Sequence, residues 1–395
     1  MRLVPLAVLV PALLSLASCD SAPLGGGDTP FVYATSGTDT AVDLVQTPSG
    51  DIVVVGSTEG RPRPADGTLA RPSVLRFGLD GELLSAEVYR DVDYGDVRAV
   101  TWSRDGLVVS LAAGPDGEGD RTVGVFRADA EGRRRGSLLE FNDGFIPNQA
   151  LTAATGGGVT AAVHGASASD PHLYRLDADG AVLWQARLDG AQDIRGLAEA
   201  PEGDVYIHGP SDTATRSVIA RLDGETGQET WRLTRPEGWG ATGIARTAEG
   251  VVLVEDRSSF QEGSEVRVVW LGADGREVRT AVVAREPGSP DGEAAPEVSS
   301  RGGAVAALAG GGVALSVVTG GRSFETPPRV SLVVLRSDGS ERTQRRFGVE
   351  GRWAEIGAIT ALADGRVAVA GSVGPERVSG YGGDDFDVWL SLYEL

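Results

Sequence analysis

One motif occurs seven times along this chain, and it restricts the chain to a repeat architecture. Each copy is a pair of short apolar segments joined by a turn at a glycine. The copies begin at Ala41, Val97, Asn148, Ile194, Ala241, Arg301 and Ile356. Their turn glycines are Gly50, Gly106, Gly157, Gly203, Gly250, Gly311 and Gly365. Successive turn glycines lie 46 to 61 residues apart, a spacing typical of solenoids and propellers.

A second hairpin follows each of the first six copies, so each repeat predicts four strands. Residues 73–89 (SVLRFGLDGELLSAEVY) and 172–188 (HLYRLDADGAVLWQARL) each combine an apolar strand, a D-G turn and an alternating strand. The second strand of a repeat is often continuously apolar, as in residues 52–55, which is expected of a strand covered on both faces. We therefore predict an all-β fold, a seven-bladed β-propeller of four-stranded blades.

The two ends of the chain predict how the ring closes. After the seventh copy, residues 387–395 (DVWLSLYEL) supply a third strand but no fourth. Residues 30–37 (PFVYATSG) precede the first copy and have no partner of their own. We predict that this N-terminal strand completes the last blade, so that the closure has no unpaired edge. The propeller is predicted over residues 31–395.

The N-terminus predicts export and a lipid anchor. Residues 1–18 place Arg2 before the apolar run 3–14, which is typical of a secretory signal and too short to remain as a membrane span. Residues 16–19 (LASC) contain the one cysteine of the chain and resemble the bacterial lipobox. The resemblance implies diacylation of Cys19, a flexible tether over residues 19–30, and an extracytoplasmic location in a bacterial cell envelope. A plain signal peptide is the alternative.

The charge balance excludes several function classes. The chain has 36 basic and 56 acidic residues, a net charge of −20, and all of its basic residues are arginine. Such a surface repels nucleic acid, so we expect no nucleic-acid partner. Without lysine there is no P-loop lysine and no Schiff base.

Two stretches resemble known propeller repeats. Residues 361–372 (ALADGRVAVAGS) followed by 382–395 (GGDDFDVWLSLYEL) resemble the SBBP-type bacterial β-propeller repeats. Residues 220–231 (ARLDGETGQETW) are similar to the repeat of the PQQ-like propeller superfamily. The resemblance implies the fold, since these families host many functions. Quinoprotein enzymes of that superfamily use a cysteine pair, which this chain lacks, so we do not expect their chemistry.

The connections that follow the second and fourth strands of each blade share one face, here called the top face. The longest insertions, residues 57–72, 284–302 and 372–385, fall there. Four loops of this face carry an aromatic residue at a matching place: Tyr94, Phe145, Trp239 and Trp353. These rings either stack a sugar or peptide, or wedge between adjacent blades, and the sequence leaves both interpretations open.

Metal and catalytic signals are weak. The acidic segments 91–96 and 114–120 carry oxygen ligands of the kind calcium prefers, with solvated loops as the alternative. His164, His172 and His208 suggest a three-histidine site, but the blades separate His164 from His208 too far for one ion. We expect no catalytic residues and no metal or cofactor, calcium being the one candidate. The predicted function is a lipid-anchored, non-enzymatic protein-binding or scaffold module that meets an envelope protein. The alternatives are a carbohydrate-binding propeller, and a lyase or hydrolase that uses carboxylates of the top face.

Overall fold

A computed structural model describes residues 31–35, 38–63, 67–90, 95–104, 106–113, 122–141, 149–164, 171–213, 215–259, 263–286, 301–320, 329–347, 354–374 and 386–395. Every regular element in these residues is a β-strand. In chain order they are β1 (Phe31–Tyr33), β2 (Thr38–Gln46), β3 (Ile52–Arg63), β4 (Gly67–Phe77), β5 (Leu83–Val88), β6 (Gly95–Ser103), β7 (Gly106–Ala113), β8 (Thr122–Ala128), β9 (Arg134–Phe141), β10 (Gln149–Ala153), β11 (Val159–His164), β12 (Pro171–Leu176), β13 (Val182–Arg187), β14 (Gly196–Glu199), β15 (Val205–Pro210), β16 (Ser217–Leu222), β17 (Glu229–Thr234), β18 (Gly240–Arg246), β19 (Gly250–Ser259), β20 (Gly263–Gly272), β21 (Glu277–Glu286), β22 (Arg301–Ala307), β23 (Val313–Thr319), β24 (Arg329–Leu335), β25 (Glu341–Phe347), β26 (Ala354–Ala361), β27 (Val367–Val373) and β28 (Asp387–Tyr393). Within this part of the chain, no helix is long and apolar enough to cross a membrane.

The strands form seven antiparallel four-stranded sheets, which confirms the predicted seven-bladed β-propeller. Blades 1 to 6 take four consecutive strands each, from β2–β5 in blade 1 to β22–β25 in blade 6. In each blade the first strand, a, is innermost, because the a strands of neighbouring blades pack together around the ring. Strands b, c and d follow outward. The a–b and c–d turns share one face, the bottom face, opposite the top face.

Blade 7 is closed by the N-terminal strand, as predicted. Its order is β26-β27-β28-β1, with Phe31 opposite Leu390 and Tyr33 opposite Val388. The pairing is shorter than the predicted segment, since β1 contains only three residues. Packing of β1 also strengthens the closure of the ring, because Phe31 and Tyr33 contact a core cluster shared by blades 7 and 1.

Burial follows the alternation of the b strands. In blade 1, Ile52 and Val54 pack toward blade 7, whereas Val53 and Val55 pack toward blade 2. A b strand is therefore buried on both faces, which is why its sequence is a continuous apolar run. All seven predicted turn glycines have positive φ, as the tight a–b turns require.

At the bottom rim, the outer strand of one blade docks on the c–d turn of the next. Trp184 Nε1 of blade 3 donates to Gly224 O of blade 4 at 2.9 Å, and Trp231 Nε1 of blade 4 donates to Ala273 O of blade 5 at 2.9 Å. A Cβ on the turn residue Gly275 would lie 2.9 Å from the Trp231 ring, so only glycine admits this contact. Trp231, at the end of the stretch 220–231, is thus an inter-blade contact.

Candidate functional site

Two hairpins extend farther on the top face than their equivalents in blade 4. In blade 1, β3 has 12 residues and β4 has 11, and in blade 5, β19 and β20 have 10 each, whereas β15 of blade 4 has six. The sequence predicted an insertion loop over residues 57–72. Instead the strands stay paired until Arg63 lies opposite Gly67. These hairpins are therefore continuations of the blade sheets.

Of the four aromatic residues predicted on the top face, the structure describes Trp239. The other three, Tyr94, Phe145 and Trp353, lie outside the described residues. Trp239 lies on the top face at the junction of blades 4 and 5 and is only 7% exposed. The Arg267 guanidinium carbon is 3.4 Å from the centroid of its ring, and that of Arg257 is 4.9 Å away. This is the geometry of a cation–π contact between the connection that leads into β18 and two arginines of blade 5.

A tight turn directs Trp239 inward. Its backbone N–H donates to Pro236 O at 3.2 Å, and Gly238 N donates to Thr215 O at 2.8 Å. Gly238 has a φ of 82°, which a side chain would disfavour. The R-P-E-G-W-G segment therefore fixes the ring before β18 begins.

A buried ionic group lies beside this ring. Glu255 on β19 is 0% exposed and accepts from Arg267 Nη2 at 2.8 Å and from Arg235 Nη2 at 3.0 Å. Arg235 Nε also pairs with the other oxygen of Glu255. We call Arg235, Trp239, Glu255 and Arg267 the blade 4/5 cluster. Because Arg235 belongs to blade 4 and the others lead into or lie in blade 5, the cluster joins the two blades.

The alternation of β19 explains the position of Glu255. Val251 and Leu253 on the same strand face pack against blade 4, and Glu255 is the next residue on that face. Its cross-strand partner is Arg267. The interface between blades 4 and 5 therefore changes from apolar at the bottom to ionic at the top.

A second ion-pair group continues from the cluster toward the surface. Glu265, 6% exposed, lies opposite Arg257 and pairs with it at 3.5 Å. It also pairs with Arg285 of the outer strand at 2.5 Å, and the Arg285 side chain is 66% exposed. This group provides the exposed charged rim of the blade 5 hairpin.

Sequence reasoning missed the blade 4/5 cluster apart from Trp239. Arginine and glutamate are usually exposed, so single residues of these types gave no signal of burial. One signal was available, because Glu255 directly follows the apolar run 251–254 and continues its alternation. Its partner Arg235 lies in another blade and does not directly follow a continuous apolar run that would predict its burial.

Other buried carboxylates also tie blades together. Asp43 of blade 1 accepts the Val100 N–H of blade 2 at 2.9 Å. Burial raises its pKa to about 6, against the lowering effect of the backbone N–H groups of Val100 and Leu44. In blade 4, Glu199 accepts from Arg175 Nη1 of blade 3 at 2.7 Å. These carboxylates act between blades.

Of the two histidines whose side chains the structure describes, His172 and His208, His208 is the more buried. It is 1% exposed, and its ring lies over Gly196 and against Ile244 of blade 5. Burial, and then the charge of Arg195, lower its pKa to about 4, so it is neutral at neutral pH. His172 instead contacts Gln185 at 3.2 Å. Among the residues the structure describes, no group of three or more His, Cys, Asp or Glu could hold a metal ion, and the acidic segments 91–94 and 114–120 lie outside them.

A cavity of about 650 Å³ opens at the bottom end of the a strands of blades 3, 4 and 5. Thr155, Leu197, Glu199 and Arg246 contribute to its wall. The Glu199 oxygens already accept from Arg175 and from the Thr155 hydroxyl at 2.5 Å. The cavity wall thus combines a carboxylate that is already paired, the arginine Arg246, and mainly apolar side chains such as Leu197 and Ile244.

The comparisons with known proteins support the fold. No family model matches this chain, and no curated protein matches its sequence. The chain is similar in structure to Sqt1 from Chaetomium thermophilum, with a TM-score of 0.52, 14% identity, and 88% of this chain and 84% of that one covered. At this identity the likeness is one of fold alone.

The names of two further similar structures mention an enzyme. A virginiamycin B lyase from Staphylococcus aureus has a TM-score of 0.48 and 13% identity, covering 91% of this chain and 96% of that one. A putative gluconolactonase has a TM-score of 0.42 and 11% identity, covering 93% and 94%. These likenesses are too distant to carry an argument about activity.

Proposed function

We propose that this protein is a lipid-anchored, extracytoplasmic propeller that binds another protein at its top face and has no catalytic role. The observation that carries the proposal is the extension of the hairpins of blades 1 and 5, where β3 has 12 and β19 has 10 residues against six in β15. Elaborations on a rigid scaffold are where binding usually takes place. Paired strands also present them as a stiff surface.

Three carboxylates that pair with arginines are better suited to a scaffold than to catalysis. A general acid or base must exchange a proton with its substrate, so it needs a carboxyl group that reaches the substrate. Glu255, Glu265 and Glu199 are instead buried and held by arginines. These groups stabilise contacts between strands and blades, as a rigid binding scaffold requires.

A glycan partner would need an aromatic ring open to solvent. Trp239 is poorly suited, because it is 7% exposed and covered by two guanidinium groups. A glycan captured at the loops of Tyr94, Phe145 or Trp353 would replace the protein-binding proposal.

The lipid anchor is tested at Cys19. Cys19→Ser removes the only thiol of the chain. We expect loss of labelled palmitate incorporation and release of the protein from membranes, or a block in its processing. Unchanged palmitate labelling in this variant would contradict the anchor.

The partner is tested by capture from native membranes with the full lipidated chain. In the test variant, residues 59–70 are replaced by Asn-Gly, which joins the opposed residues Thr58 and Arg71 by a two-residue turn. The control is Arg276→Ala on the bottom face, where the side chain is 87% exposed. We expect the shortened hairpin to lose a protein that the parent and the control both capture.

Both variants must first melt like the parent, so that lost capture is not caused by unfolding. Capture of the same proteins by all three forms would refute the role of the blade 1 hairpin. If capture is also unchanged after the corresponding shortening of the blade 5 hairpin, the binding function of the top face is refuted.

A further inference from the structure

The N-terminal chain enters the propeller from the bottom face. Strand β28 runs from Asp387 at the top to Tyr393 at the bottom, because it is antiparallel to β27, which begins after the a–b turn. β1 is antiparallel to β28, so it runs from Phe31 toward the top at Tyr33. Phe31, the first described residue, therefore lies at the end of β1 nearer the bottom face.

A side-chain contact supports this direction independently. The ring of Phe31 lies against Gly81, where an added Cβ would be 2.0 Å from Phe31 Cζ. Gly81 belongs to the c–d turn of blade 1, in which its N–H donates to Gly78 O at 2.9 Å. Since c–d turns lie on the bottom face, Phe31 lies at the bottom rim where blades 7 and 1 meet.

We propose that the bottom face of the propeller is turned toward the membrane, and that the hairpins of blades 1 and 5 point away from it, toward a partner with a water-soluble domain. This inference rests on the proposed lipid anchor at Cys19. It specifies the partner as one that approaches from the aqueous side.

The lengths of the tether and of the strands support this arrangement. The 12-residue tether that the sequence predicts over residues 19–30 would span about 19 Å on average as a random coil, so we expect the bottom rim to stay near the lipid. A 12-residue strand such as β3 spans about 40 Å. The blade 1 hairpin is therefore held well beyond the membrane surface.

The exposed charges of the c–d turns on the bottom face are mixed, because Arg133, Arg135 and Arg276 are exposed there beside acidic side chains. Five of its six c–d turns expose an acidic side chain: Asp80, Asp179, Glu225, Asp274 and Asp338. Anionic lipid headgroups repel the carboxylates and attract the arginines of this face. We expect the position of Phe31 at the bottom rim, where the chain joins the propeller, to decide which face lies nearer the membrane.

The orientation can be measured with single cysteines, because Cys19 is the only native one. Asp179→Cys places a fluorophore on a bottom turn, and the matched variant Asp212→Cys places it on an exposed top loop of blade 4. The lipidated proteins are reconstituted in vesicles that contain a lipid-borne quencher. We expect strong loss of emission from the bottom label and retained emission from the top label.

Equal quenching of both labels, or stronger quenching at the top, would overturn the orientation. Vesicle flotation and acylation are read first, so that failure of the anchor is seen separately. A second set, in which a polyhistidine tag replaces Cys19 and binds a nickel-chelating lipid, tests the orientation without acylation. The bottom label must again be the more quenched for the inference to stand.

Discussion

Trp239→Ala should destabilise the propeller strongly, because the ring fills a buried place between blades 4 and 5. The side chain is 7% exposed and supports the Arg267 guanidinium at 3.4 Å from its centroid. Truncation of a large buried aromatic residue costs about 3–5 kcal/mol. For a cooperative unit of this size, a loss of about 4 kcal/mol lowers the melting temperature by about 5 °C.

Differential scanning calorimetry of the soluble chain measures this change. Trp239→Phe keeps a ring beneath Arg267, so a smaller loss is expected. Arg216→Ala is the control from the same loop region, since its ion pair with Glu237 is 3.5 Å long and exposed and is worth less than about 1 kcal/mol. If Trp239→Ala melts together with the parent, the ring is not a structural wedge, and a role in ligand binding becomes the better explanation.

Three further changes test the reasoning. Deletion of residues 31–37 removes β1 and leaves β28 with an open edge. We expect the variant to aggregate, as measured by light scattering, and to lose cooperative unfolding in calorimetry. A parent-like melt would contradict the closure. Glu255→Gln leaves Arg235 and Arg267 without their shared carboxylate and should lower the free energy of unfolding in denaturant by about 3–5 kcal/mol. A decrease below about 1 kcal/mol would show that this ion pair does not stabilise the fold. Burial lowers the pKa of His208 from 6.5 to about 4, so protonation of the unfolded chain lowers the free energy of unfolding as the pH falls from 6.5 toward 4. His208→Leu should therefore lose about 2–3 kcal/mol less stability than the parent between pH 7 and 4.5. Parallel pH profiles of the parent and the variant would refute this.

The sequence was sufficient for the architecture because each blade is specified locally. The glycine of every a–b turn has positive φ, and the continuous apolar b strands are buried on both faces. The closure was predictable from counting strands, since residues 387–395 lacked a fourth strand and residues 30–37 lacked a partner.

The candidate site was less predictable because its residues meet only in three dimensions. Arg235 and Glu255 belong to different blades, and burial of such an ion pair depends on the packing of two sheets. The hairpin over residues 57–72 was interpreted as a loop, because its glycines and prolines obscure the alternation of paired strands. Trp239 was found by its matching place before a strand, but its guanidinium contacts come from β19 and β20.

The pairing of β1 with β28 also sets the order in which the molecule can be completed during synthesis. Phe31 is among the first propeller residues made, and its partner Leu390 is among the last. Joining segments so far apart costs about 5 kcal/mol in chain entropy, which the packing of blades 7 and 1 must offset. Blades 1 to 6 are built from consecutive hairpins and can form earlier, whereas the seventh cannot form before β26, β27 and β28 have been made. Until then β1 is an unpaired strand, so a folding helper that protects the nascent protein would have most effect at its N-terminus.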